Sequence, residues 1–196
     1  MAIRVPTDPD VFFSEFIPEM YTQATARNKI PAVPYTVSVD LEGGSRYSFH
    51  WDGSQLDQQS GDNAPKGDIR VSLTPEDFKE LARFARSQAV DEPPEAPPIP
   101  PTYQFPAIDT LRGVLQFVLD DLGDKRHVRV AFGDVADDAD PTATIHTTLD
   151  FVAELQGKAI AVDQLLRAAG VRIDGDFGYV LRLANAMTGK TRRRER

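Results

Sequence analysis

Between Gln88 and Pro106 the chain carries seven prolines, Pro93, Pro94, Pro97, Pro98, Pro100, Pro101 and Pro106, with acidic residues between them. Each proline fixes φ, removes a backbone donor and pushes the residue before it out of helical space. Neither a helix interior nor a central strand can run through such a stretch. The composition predicts an extended spacer or surface-wrapping segment rather than a ligand for a proline-binding domain. What folds must therefore fold on either side. The sequence divides into a first half (1–87), a linker (88–106), a second half (107–189) and a tail (190–196).

The first half opens with capping residues and a run, Thr7 to Asn28, in which Val11, Phe12, Phe16 and Met20 recur at helical spacing. Pro18 inside it predicts a kink or two short helices. Ile30 to Pro34 reads as an extended connection. Tyr35, Val37, Val39 and Leu41 then alternate with Thr36, Ser38 and Asp40, as a half-buried strand does. Glu42-Gly43-Gly44-Ser45 is a hairpin turn, after which Tyr47, Phe49 and Trp51 give a second strand an aromatic face. A polar loop to Gly67 carries a weak strand around Leu56. Ile69, Val71 and Leu73 form the next main strand. Thr74-Pro75-Glu76-Asp77 opens a helix, with proline early and an acidic first turn, that runs to about Ser87.

In the second half, Ile108 to Leu122 reads as an amphipathic helix striped by Ile108, Leu111, Leu115, Val118, Leu119 and Leu122. Val128, Val130 and Phe132 form a strand, Asp134 to Pro141 an acidic loop, and Ala143 with Ile145 a further strand. A helix starts at Asp150-Phe151. Another runs from Val162 to Ala169, stopped by Gly170. Val171 and Ile173 make a short strand, Gly175-Asp176 turns, and Asp176 caps a last helix. Its apolar face carries Phe177, Val180, Leu181, Ala184 and Met187.

The order Asp150-Phe151, Leu155, Gly157-Lys158, Asp163, Val171, Ile173, Gly175-Asp176, Gly178, Leu183 resembles the C-terminal end of the sterol-carrier-protein type 2 family. The family's glycine before the strand is Ala169 here, with Gly170 one position later, so the tight turn is built differently. The strand-strand-strand-helix order of the first half resembles the front of the same family. Residues 69–78 and 143–151 also share a pattern of strand, polar turn, Asp-Phe and helix, one residue out of step. The two halves therefore read as diverged partial repeats. The rival reading is one carrier-type domain with a long insertion after its third strand. The fold class the resemblance implies is α+β, a twisted antiparallel sheet covered by helices. The function it implies is non-catalytic binding or transfer of a hydrophobic ligand, fatty-acyl, sterol-like or isoprenoid, in an apolar cavity lined by Phe49, Trp51, Phe78, Phe151, Leu155, Phe177, Val180 and Leu181. Without the resemblance, these residues read as ordinary core. The alternative function is a structural or regulatory module with a filled core that pairs with another protein or with itself.

Composition limits the other classes. A formal net charge of −8 argues against a general nucleic-acid binder, which needs basic surface. There is no cysteine, so no disulfide framework, thiolate zinc site or cysteine nucleophile. No apolar run reaches the length of a membrane span and no signal peptide is legible, so the expectation is a cytoplasmic protein. His50 and Trp51 are strand neighbours on opposite faces and cannot share a pocket. With three histidines and no serine elbow, no catalytic set is expected. Asp134, Asp137, Asp138 and Asp140 lack the glycine and closing glutamate of a calcium loop. Gly175-Asp176-Phe177-Gly178 lacks the lysine and wider glycine spacing of a phosphate cradle. Neither a metal nor a cofactor is expected. Lys190, Arg192, Arg193, Arg194 and Arg196 make the tail basic, which would suit a weak contact with anionic membrane.

Overall fold

In the computed structural model, which describes residues 5–25, 34–52, 55–87, 111–120, 124–151 and 170–187, the chain folds as two units, 1–102 and 103–196. The linker, the helix expected over Val162–Ala169 and the basic tail lie outside the described residues.

The first unit is laid out around β1 (Tyr35–Leu41), which pairs antiparallel with β2 (Arg46–Trp51) and parallel with β4 (Ile69–Leu73). Strand β3 (Leu56–Ser60) adds antiparallel to β2, giving the order β3-β2-β1-β4. The β1–β2 turn is glycine-built, with Gly43 at φ 70° and the Gly44 N–H donating to the Leu41 carbonyl at 2.9 Å. Register places Tyr35, Val37, Val39, Tyr47, Phe49, Trp51 and Ile69 on one face, and Thr36, Ser38, Arg46 and His50 on the other. The Thr36 hydroxyl meets His50 Nδ1 at 3.0 Å on the polar face while Trp51 is buried on the apolar one, so the two neighbours do point apart.

The N-terminal helix is interrupted as Pro18 requires. Helix α1 (Pro9–Val11) passes through a π-helical stretch, Phe12–Phe16, into α2 (Ile17–Thr25). The Ile17 N–H reaches back to the Phe12 carbonyl, the wide turn that brings the chain to a residue with no N–H to give. Helix α3 (Pro75–Ser87) starts where expected: the Asp77 N–H donates to Thr74 Oγ1 at 3.0 Å, and the Thr74 hydroxyl donates to the Asp77 carboxylate at 2.8 Å.

The second unit contains β5 (Gly113–Leu119), β6 (Arg126–Phe132), β7 (Ala143–Thr147), β8 (Arg172–Gly175) and α4 (Phe177–Met187). The strand order is β6-β5-β7-β8, antiparallel except for the β5–β7 pair. Here the expected helix over Ile108–Leu122 is corrected, because Gly113–Leu119 is the central strand. The run Val-Leu-Gln-Phe-Val-Leu fits a helical stripe by spacing, but with Gln116 as its one polar residue it is equally the near-continuous apolar run of a strand with neighbours on both sides. Val114, Leu115, Val118 and Leu119, which span both faces, are all buried. The α+β class holds in each unit, but the sheets are mixed, each with one parallel pair. Asp176 caps α4 as expected, accepting the Tyr179 N–H at 2.9 Å. That bond, chiefly, holds its carboxyl below the usual range.

Four phenols are buried among the described residues. Burial pushes Tyr47 and Tyr179 up to about 12, and raises Tyr21 and Tyr35 as well. Raised acids favour the folded state while neutral, so stability should hold below pH 10 and fall as pH rises from 10 through about 12. Denaturant midpoints and tyrosinate absorbance across that range would reveal it. A flat profile would mean that the phenols are hydrated.

Candidate functional site

In the first unit the N-terminal segment delivers its rings onto the apolar sheet face. Phe13 lies 4.7 Å from Tyr47, 6.3 Å from Phe49 and 5.1 Å from Phe78, centroid to centroid. Phe12 adds an edge-on contact to Phe78 at 5.1 Å, and Tyr21 meets Trp51 at 5.3 Å. Three of the eight residues expected to line a cavity, Phe49, Trp51 and Phe78, are thus buried in ring-to-ring contact with aromatic side chains of their own unit.

The second unit is arranged differently. Register aligns Leu115 with Val130 and Ala143, Phe117 with Val128 and Ile145, and Ile145 with Ile173, so these side chains share one face. Gln116, His127, Arg129, Thr144, His146, Arg172 and Asp174 hold the other. On the apolar face Leu115 and Leu119 are buried, but Phe117, Val128, Val130, Ile145 and Ile173 remain only half-buried. Helix α4 covers the Gly113 end. A Cβ at Gly113 would sit 2.9 Å from the Tyr179 ring and 2.7 Å from Thr142 Oγ1, so only glycine admits the ring there. Tyr179 is buried, and its hydroxyl has no hydrogen-bond partner among the described residues.

Four further expected residues fall in this unit. Val180 is buried and Leu181 half-buried, whereas Phe177 is 48 % exposed. The buried stripe of α4 is Tyr179, Val180, Leu183 and Ala186, rotated from the expected face because the capping turn at Asp176 leaves Phe177 at the open first turn. Phe151 is half-buried, and its ring lies where a Cβ on Gly170 would approach to 3.1 Å. Leu155 lies outside the described residues. The expected set is therefore divided between the units.

Sequence reading missed Phe117, Val128, Val130, Ile145 and Ile173. Four of them belonged to segments correctly read as strands, and their alternation with polar residues was the signal for a shared face. Phe117 was hidden by the helical reading of its segment.

Among the described residues no group of three or more His, Cys, Asp or Glu side chains is placed to hold a metal. No described helix is long and apolar enough to cross a membrane. The sequence of residues 103–188 matches the family model of the SCP-2 sterol transfer family, and that whole match lies in the second unit. No curated protein matches the chain.

Proposed function

We propose, from the match of residues 103–188 to the SCP-2 sterol transfer family model, that the second unit is a non-catalytic carrier of a hydrophobic lipid. The chain of a fatty-acyl, sterol-like or isoprenoid ligand lies along Phe117, Val128, Val130, Ile145 and Ile173. Phe151, Phe177, Val180 and Leu181 complete its surroundings. One observation carries this reading: the unit keeps a continuous apolar stripe that its own described side chains only half cover. Covering it with ligand contributes roughly 0.8 kcal/mol per buried methylene.

The first unit supports a different role. Its hairpin β1–β2, its parallel strand β4 and its threonine-capped helix follow the same order as β5–β6, β7 and the helical turn at Leu149, where Thr148 Oγ1 accepts the Phe151 N–H at 3.1 Å. We read the units as diverged repeats of one carrier plan, the first with its interior filled by Phe12, Phe13 and Tyr21. A filled interior favours a structural or protein-pairing role for that unit, in a protein that works in the cytoplasm.

Native mass spectrometry of the full chain, followed by lipid extraction, tests the proposal. One lipid mass per chain is expected, lost in Phe117→Asp and kept in Phe49→Leu. An apo mass that no added fatty acid or sterol shifts would overturn the lipid reading and leave protein pairing as the function.

A further inference from the structure

An open recess of about 330 Å³ lies in the second unit, lined by Asp120, Lys125, His146, Thr147, Thr148, Gly170, Val171 and Arg172. It sits where β5 and β7 end and β8 begins, so residues of both sheet faces meet around it. Leu119 pairs with Thr147, which places Thr147 on the same face as Ile145. One wall of the recess is therefore the end of the half-covered apolar stripe. The remaining lining is polar and charged.

Two cations, Lys125 and Arg172, line the recess together with one acid, Asp120. Arg172 is held in place: its guanidinium lies 3.0 Å from His146 Nε2 and 3.2 Å from the Asp174 carboxylate. Lys125 is exposed and has no ion-pair partner among the described residues. Thr147 is 5 % exposed and its hydroxyl has no hydrogen-bond partner among the described residues. A buried hydroxyl left unpaired is uncommon in a native fold and costs stability unless something else meets it.

We propose that this recess binds an oxyanion, a carboxylate or a phosphate, and that in the working protein the oxyanion is the head of the lipid whose chain lies on the stripe. The inference rests on the reading of the second unit as a lipid carrier and deepens it. The protein would prefer acidic amphiphiles over neutral ones of equal length. Asp120 opposes the anion and Asp174 already pairs with Arg172, so the attraction comes from Lys125, from the outward donors of Arg172 and from the Thr147 hydroxyl.

The test measures binding of a long-chain carboxylate, the alcohol of the same chain and inorganic phosphate to the full-length protein and its variants. Lys125→Gln and Arg172→Gln should each weaken carboxylate binding about tenfold, the scale of one charge-assisted hydrogen bond. Asp120→Asn should tighten it. Alcohol binding should stay unchanged in all three. Thr147→Val, which loses only an unpartnered hydroxyl, should weaken carboxylate binding without lowering the melting temperature.

Tighter binding in Lys125→Gln together with weaker binding in Asp120→Asn would overturn the inference in favour of a cationic head. Equal effects on alcohol and carboxylate would also overturn it, showing a structural role. Phosphate binding that depends on Lys125, with carboxylate and alcohol bound alike, would make the recess a free-anion site and remove the headgroup role. If the wild type takes up both lipids and no variant matters, the inference falls and the carrier reading stands. If it takes up neither lipid, both fall.

Discussion

Phe13→Ala is expected to cost the first unit about 3–5 kcal/mol, the usual scale for deleting a buried ring that its surroundings cannot collapse around. Phe13 is 6 % exposed and contacts Tyr47, Phe49 and Phe78 together, so its loss opens a void between the π-helical stretch, the sheet and α3. The chain's one tryptophan, Trp51, is buried in this unit and reports its unfolding directly in a denaturant titration. A cost below about 1 kcal/mol would mean that the rings do not form a packed core. The claim of a filled interior would then be lost, and Phe49, Trp51 and Phe78 would return as candidates for contact with ligand.

The second large effect is on α4. Leu183→Asp places a carboxylate at a position 3 % exposed and should cost at least about 4 kcal/mol or prevent the unit from folding. Phe177→Asp, at a position 48 % exposed, should change stability by no more than about 0.5 kcal/mol. Hydrogen exchange on β5, β7 and β8 separates the two outcomes. Strong protection loss in Phe177→Asp with little in Leu183→Asp would show that the helix packs on the other stripe.

Most strands were legible in the sequence because alternation is a short-range signal. Tyr35 to Leu41, Arg46 to Trp51 and Ile69 to Leu73 each state their own face. The helix starts at Thr74 and Asp176 were legible for the same reason, since these caps act within three residues, whereas the Thr148 cap went unread in a segment that reads as a polar turn. Gly113 to Leu119 failed because a strand flanked on both sides loses its alternation, and its identity then depends on partners distant in sequence. The parallel pairings β1–β4 and β5–β7 were hidden too, as no local pattern marks a strand's neighbour. The family resemblance correctly pointed to the C-terminal segment, yet the half-covered stripe emerges only when register puts Phe117, Ile145 and Ile173 side by side.

The parallel pairs also bear on how the chain acquires its fold. The hairpins β1–β2 and β5–β6 join near neighbours, so they can form early and at little cost in chain entropy. Val37 must wait for Ile69, and Leu115 for Ala143, before either sheet gains its central pairing. Until that closure β1 and β5 each present a bare, apolar edge. Each unit therefore folds at a pace set by a non-local event, and its period of greatest risk of aggregation is the interval between hairpin and closure.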